Sequence, residues 1–399
     1  MSGPWGYLEG VRPVKLMRKL ITEGADNPIE MFVQLYGATQ EKAILAYETA
    51  VQENTALKNV SDDSIGLYIG IPFCKTRCLY CSFTTEAMVR NTEILAKYLE
   101  CLSAEIEYIA THLDTSKIVT LYIGGGTPTF LEAAQLHALV MQLKLAFPKT
   151  VEFTVEAGRP DSITKDKLDV LKALGVDRIC INPQTMNNTV LKNIGRPHTA
   201  EDIMEKYWLS RKVGFKTINM DLIAGLPGDT YDSFCNSIDK LVELTPENVT
   251  IHTLSIKRGS RLNENVISFN DDHTPLIGEM LVYASQQLKA FEYKEYYLYR
   301  QKKMFGNFEN TGYALEGHTN IYNIIMMEET HNVIALGAGG VSRILRKKNC
   351  NNTEKKNSKY EKDIERFFNY KEPQLYIEDF QEIINRKTCL LSLINEIRK

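Results

Sequence analysis

Hydrophobic and polar positions change rhythm twice along the chain. Over residues 1–60 the apolar positions follow helical spacing: Ile29, Met31, Phe32, Leu35 and Tyr36, then Ala43, Ile44 and Tyr47. This segment reads as a helical cap or linker, with aromatic packing around Trp5 and Tyr7. From Gly66, short apolar runs alternate with amphipathic stretches. The runs are 66–72, 118–125, 151–157, 177–182, 217–225 and 248–256. Between them, Ile94, Leu95, Tyr98, Leu99, Leu102, Ile106 and Ile109 share one helix face. Leu168, Leu171 and Leu174 share another and precede Gly175, a helix stop. Six strands alternating with helices predict parallel βα units. Near-continuous apolar runs predict a sheet covered on both faces. Polar and Gly-rich motifs fall at the C-terminal ends of the runs, where such sheets bind ligands.

After about residue 275 the rhythm changes again. Residues 276–291 read as helix, and 295–300, 321–329 and 332–340 as strands without long helices between them. Residues 346–363 are polar and Asn-rich, an expected exposed loop, and Ile364 to Lys399 reads as helical. The expected organisation is an N-terminal helical segment (1–60), an α/β core (61–275) and a smaller C-terminal α+β and helical region (276–399).

The 399 residues carry 47 Lys+Arg against 50 Asp+Glu, a formal net charge of −3. That balance argues against nucleic acid as a partner, which needs a basic excess. It leaves room for a local basic pocket. No apolar run approaches the ~20 residues of a membrane span. Met1 to Gly10 has no basic region followed by an apolar stretch, so a cytoplasmic location is expected. There, eight cysteines point to metal binding or catalysis more than to disulfides. Cys101, Cys180, Cys235, Cys350 and Cys389 are scattered and read as small core hydrophobes.

The other three cluster in 74-CKTRCLYC-81, directly after the run 66-GLYIGIP-72 and hence on a loop at a strand's C-terminal end. Thiolates suit iron–sulfur clusters and zinc. A structural zinc site needs four closed ligands. The nearest downstream candidates are Cys101, inside a predicted helix, and His112. Three thiolates on Cys74, Cys78 and Cys81 fit a [4Fe–4S] cubane with one open iron, able to chelate a small molecule. Lys75 and Arg77 can offset its charge. On the triplet alone, zinc with a distant fourth ligand and chance clustering stay open.

The C-x3-C-x2-C spacing after a first strand resembles the radical S-adenosylmethionine (SAM) superfamily. In that family three cysteines hold the cluster, and its open iron binds the amino and carboxylate groups of SAM. One-electron reduction cleaves SAM to methionine and a 5′-deoxyadenosyl radical. The resemblance implies a partial (β/α)6 TIM-like barrel. The segments 68-YIGIPFC-74, 123-IGGGTPT-129, 182-NPQT-185 and 221-DLIAGLPGDT-230 resemble the oxygen-independent coproporphyrinogen III dehydrogenase branch. The stretches 298-LYRQKKM-304 and 334-IALGAGGVSRI-344 resemble its HemZ-type members. These members carry a further N-terminal extension, part of which is expected to be missing here.

This resemblance implies roles residue by residue. Cys74, Cys78 and Cys81 are the catalytic cluster ligands. Gly124, Gly125, Gly126 and Thr127 cradle the SAM amino group, where absent side chains let the backbone approach. Glu156 contacts the amino or ribose groups, Gln184 and Arg196 hold SAM with Arg196 pairing its carboxylate, and Asp221 contacts the ribose. Tyr68 and Tyr80 pack on the cluster and SAM. Each has a plainer reading: a tight turn, salt-bridged strand-end acids, a surface arginine, core aromatics.

The implied reaction is oxidative decarboxylation of two coproporphyrinogen III propionates to vinyl groups. The product is protoporphyrinogen IX, a step of heme biosynthesis, with an unidentified electron donor and a monomeric chain expected. Four propionates imply cations in the pocket. Lys257, Arg258, Arg261, Arg300, Lys302, Lys303 and Arg343 are candidates, with Arg258 and Arg300 preferred. His318 and His331 read as packed or surface histidines. Phe83 stands where the better-known dehydrogenases carry a fourth cysteine, and resembles the heme-trafficking branch. A heme-binding chaperone, or a radical SAM enzyme acting on another tetrapyrrole, is therefore the alternative.

Overall fold

The computed structural model describes residues 3–8, 12–82, 86–87, 92–257, 259–264, 274–301, 304–347 and 362–397. Its centre is a run of parallel strands: β1 (Ile65–Ile71), β4 (Ile118–Gly125), β5 (Glu152–Gly158), β6 (Arg178–Ile181), β7 (Thr217–Ala224) and β8 (Asn248–Thr253), neighbours in that order. β2 (Phe73–Cys74) and β3 (Glu86–Ala87) pair separately. Crossovers run through α4 (Thr92–His112), α5 (Ala133–Ala146), α6 (Lys165–Ala173), α7 (Asn188–Asn193), α8 (Ala200–Val213) and α9 (Tyr231–Leu244). Thr164, Thr199 and Thr230 accept N–H bonds from Lys167, Asp202 and Ser233, which starts α6, α8 and α9. Gly175 lies in the left-handed region at φ +79°, where the predicted stop ends α6. The six expected strands are all present, as a partial (β/α)6 barrel core.

Residues alternate along each strand. Leu67, Ile69, Leu121, Ile123, Val155 and Ile218 are buried in the cluster that the crossover helices cover. Tyr68, Tyr122, Glu156, Cys180, Asn219 and Asp221 face the other way into a cavity. The expectation of two apolar faces is therefore corrected: one face packs on helices, the other lines a polar lumen. Tyr, Cys and Gly gave the runs their apolar look, but they are the lumen set.

Beyond the core the sheet continues at both edges to eleven strands. β9 (Lys294–Tyr299) and β10 (Asn310–Ala314) follow β8 with antiparallel pairing. On the other side β11 (Asn332–Leu336) lies parallel to β1, followed by antiparallel β12 (Val341–Lys347) and β13 (Lys362–Phe368). The stretch 321–329, predicted as a strand, is helix α12 (Ile321–Glu328), the twelfth after α10 (Arg261–Glu264) and α11 (Thr274–Ala290). Asn320 caps α12 by accepting from the Asn323 N–H. Tyr322 and Ile325 pack toward β1 and β4, while Ile324 packs with Tyr296 and Tyr297 of β9. A short run that is apolar on several sides looks alike in either period. Conversely, 364–368 opens the predicted helical terminus yet is part of strand β13, because it pairs along β12. Helix is confined there to α13 (Pro373–Glu378) and α14 (Phe380–Ile397). Most of the expected loop at 346–363 lies outside the described residues.

The N-terminal helices α1 (Pro13–Thr22), α2 (Pro28–Tyr36) and α3 (Gln40–Leu57) form a cap on edge strand β9. Trp5 is fully buried among Val14, Met17, Phe32, Ala43 and Leu298, and its Nε1 donates to Glu309 Oε2 at 2.7 Å. Tyr7, expected to pack there, is 83% exposed. Among the described residues, no helix is long and apolar enough to cross a membrane.

Candidate active site

The glycine turn after β4 is clipped onto the chain that leads from β1 to the cysteines. The Gly126 N–H donates to Ile71 O at 2.8 Å and the Thr127 N–H to Phe73 O at 2.9 Å. A Cβ on Gly126 would stand 2.6 Å from Phe73 O and 2.8 Å from Phe73 N, so only glycine permits this approach. The clip sets Thr127 Oγ1 at 3.3 Å from Cys74 Sγ.

Cys74 and Cys78 are buried, Cys81 is half-buried, and all three are free thiols. Burial pushes the Cys74 thiol up to about 11, Thr127 opposes it, and Cys81 and Cys78 add to it. Tyr80 and Arg196 lie beside Cys78. The loop is pinned by the Leu79 N–H to Ile194 O at 3.0 Å and by buried Arg159, which donates to Thr76 O at 3.1 Å. Among the described residues, no three His, Cys, Asp or Glu side chains are already drawn around a metal-sized point. The thiols fit an iron–sulfur cluster by donor type, by their shared loop, and by the cations Arg196 and Arg159 beside it.

Burial raises the Glu156 carboxyl to about 7. A hydrogen bond from Tyr122 opposes the rise, Asp221 adds to it, and a bond from the Gly125 N–H opposes it. The Tyr122 hydroxyl donates to Glu156 Oε1 at 2.7 Å, and a Cβ on Gly124 would meet the Glu156 carboxyl at 3.0 Å. Asp221 lies three residues before the end of β7 rather than at it. It accepts from Asn219 Nδ2 at 2.7 Å and stands 3.5 Å from His252 Nε2. Gln184, at φ +69°, bridges to β7 through its backbone: its N–H donates to Asp221 O at 2.8 Å, and its carbonyl accepts from the Ile223 N–H at 2.9 Å. Arg196 is buried, not on the surface, and donates to Asn182 O at 2.5 Å and Pro183 O at 3.2 Å. Its Nε is buried with no hydrogen-bond partner in the protein, which fits an incoming carboxylate.

Tyr68, Gly125, Glu156 and Asp221 share one cavity of about 480 Å³. The cysteine loop, Tyr80, Gln184 and Arg196 are not in its lining, but the glycine turn and the Gln184–Asp221 bond tie them to it. Tyr68, Tyr122 and Tyr322 stack: Tyr122 and Tyr322 have ring centres 4.6 Å apart, Tyr68 and Tyr122 6.2 Å.

The preferred substrate cations are not brought there. Arg258, like Phe83, Lys302 and Lys303, lies outside the described residues. Arg300 is buried, donates to Asn307 O at 2.9 Å and lies 5.5 Å from the Trp5 ring centre, away from the cavity lining. Lys257 and Arg261 are exposed. The arginines in the lining are Arg178 and Arg343. Arg178 escaped the sequence reading, as did His252, Tyr297, Tyr299 and Tyr322. The signal for Arg178 and His252 is their place in the inward register with Cys180 and Thr250. His318 and His331 pair with Thr217 and Thr330 at 2.9 and 2.8 Å. The expectation of five core cysteines is corrected. Cys180 is buried but lines the cavity, Cys101 and Cys235 are half-buried, and Cys389 is exposed. Cys350 lies outside the described residues.

Residues 68–241 match the Radical SAM superfamily. The chain is 39% identical to the oxygen-independent coproporphyrinogen-III oxidase-like protein HemZ of Bacillus subtilis, over 98% of this chain and 78% of that one. It is 31% identical to the heme chaperone HemW of Lactococcus lactis, over 71% of each chain. Coproporphyrinogen III oxidase (HemN) from Escherichia coli, a radical SAM enzyme, shares the fold, with a TM-score of 0.59, 21% identity and coverage of 84% of this chain and 72% of that one. Radical SAM proteins use a [4Fe–4S] cluster and SAM, the cofactors that the thiol loop and glycine turn suit. The chain belongs to the radical SAM superfamily, in the family of HemZ and HemW.

Proposed function

We propose that the protein oxidatively decarboxylates coproporphyrinogen III propionates to vinyl groups without oxygen, giving protoporphyrinogen IX. The observation that carries this reading is the tyrosine-walled lumen beside the cysteine loop, with arginines in its wall. The HemZ likeness over nearly the whole chain supports it. Cys74, Cys78 and Cys81 hold the cluster. The turn from Gly124 to Thr127, Glu156, Asp221 and the Arg196 Nε hold SAM, with Tyr68, Tyr80 and Gln184 packed around it. When bound, these cofactors supply the acceptor for one hydrogen atom. Each propionate becomes a vinyl group with loss of CO2, one hydrogen atom to that acceptor and one electron to an external one-electron acceptor. The lumen residues hold the macrocycle against aromatic walls and exclude water, while guanidinium groups fix carboxylates.

The test is an anaerobic assay with reductant, SAM and coproporphyrinogen III, followed by chromatography of the porphyrin products. Vinyl product is expected; SAM cleavage with no vinyl product would refute the reading. The HemW relative and Phe83 favour a second reading, a heme-carrying chaperone. Stoichiometric heme binding without porphyrinogen turnover would establish it instead.

A further inference from the structure

Three side chains of the lumen wall keep a buried hydrogen-bond donor that no protein group accepts: Tyr322, Arg343 and Arg178, whose other nitrogens are already spent on Asn248 Oδ1 and Thr319 O. Tyr322 is 3% exposed and its hydroxyl has no partner. Arg343 spends Nη1 on Met326 O at 2.7 Å, while its Nε is buried and unpaired. Both side chains line the same cavity. Such donors, buried beside a guanidinium that stays charged at all working pH values, select an anion.

The charge around Arg343 points the same way. Arg12, Lys15, Arg366 and Arg343 share the single carboxylate of Glu329. Arg343 is the most distant of the four, at 3.9 Å, and is therefore the least neutralised. The corner is also one aromatic ring from the candidate SAM site, because Tyr322 stacks on Tyr122, whose hydroxyl is held by Glu156.

We propose that Arg343 and Tyr322 form a carboxylate anchor inside the lumen. It takes one propionate of the tetrapyrrole and so fixes which side chain faces the SAM site. This rests on the tetrapyrrole reading above. The guanidinium supplies a charge-assisted bond through Nε and the hydroxyl a second, neutral one. Arg343 is thus a binding residue for the substrate class, in place of the buried and engaged Arg300.

The probes are coproporphyrin III and its tetramethyl ester, titrated by fluorescence quenching into the reconstituted full chain, with SAM binding measured in parallel. Wild type is expected to bind the tetra-acid at least tenfold more tightly than the ester, the scale of one charge-assisted bond. Arg343→Gln should lose about 10- to 100-fold for the acid and nothing for the ester. Arg343→Lys should recover part of that loss, Tyr322→Phe should lose several-fold, and SAM binding should hold in all three. Equal acid binding by wild type and Arg343→Gln overturns the anchor alone. So does an equal loss for acid and ester, which would mark a packing role. If wild type binds neither porphyrin, the tetrapyrrole reading falls and the anchor with it.

Discussion

Gly126→Ala tests whether the glycine turn sets the cysteine loop. The new methyl carbon would meet Phe73 O at 2.6 Å, and ordinary contact begins near 3.4 Å, so 3.4 − 2.6 gives a required shift of 0.8 Å. The obstacle is backbone, which cannot rotate away as a side chain can. Overpacking of this kind costs about 1–3 kcal/mol. The bonds from Gly126 to Ile71 and from Thr127 to Phe73 cross the same seam; each adds about 1 kcal/mol if broken. The expected local cost is roughly 2–4 kcal/mol, with Cys74 displaced from Thr127. Iron per chain after anaerobic reconstitution should fall to roughly half or below, since displacements near 1 Å disable sites. Circular dichroism should keep its wild-type shape. Gly24→Ala is the control: it has φ +76° but nothing within 4 Å. It should cost about 1 kcal/mol of backbone strain and keep its iron. Wild-type iron and Tm in Gly126→Ala would refute the argument.

Cys78→Ala should abolish stable iron loading under the same reconstitution; unchanged iron would mean that the thiols are not the ligands. Glu156 titrates near 7 because it is buried. If it receives a SAM cation, SAM affinity rises as pH passes upward through 7. Tyr122→Phe removes the bond that holds this carboxyl down, so the midpoint moves higher, read by calorimetric titration between pH 6 and 8. Identical midpoints would exclude that role. Glu328 is buried, neither of its oxygens has a protein partner, and burial raises its carboxyl to about 7 against Arg18, Arg12 and Lys15. The folded state therefore binds this proton above the ordinary 4.5, and the stability it contributes is lost as pH rises through 7. Glu328→Gln should gain more stability at pH 8 than at pH 5, and it also relieves the neighbouring buried Glu53, whose carboxyl Glu328 pushes up; equal Tm gains would contradict this. Trp5→Ala should cost about 3–5 kcal/mol. It should speed hydrogen exchange in α1–α3 before the barrel strands; uniform protection would show that Trp5 does not hold the cap.

The barrel was legible because its strands are long enough for the alternation with helices to stand out, and the cysteine spacing is local. What escaped depends on tertiary partners. α12 carries apolar residues on sides that face β1 and β9 at once, so neither period marks it. β13 is a strand only because β12 offers it a ladder. Arg300 and Arg343 look equivalent as charges near strands. One is taken up by Asn307 and Trp5, the other turns into the lumen, and only the register of β12 against β11 decides that. The positive φ that seats the Gln184 backbone against β7 leaves no mark in composition.

The pairing of β11 with β1 has a consequence in time. Ile65 meets Asn332, so the strand that feeds the cysteine loop acquires its second neighbour only from 332 − 65 = 267 residues downstream. A ribosome releases the cysteines long before it releases that neighbour, and pairings this distant in sequence form late. Until then β1 presents an open edge, and the thiols hang from an unfinished sheet. The sheet that carries the thiol loop is thus completed only by the last sixth of the chain, by strands that supply none of the three cysteines.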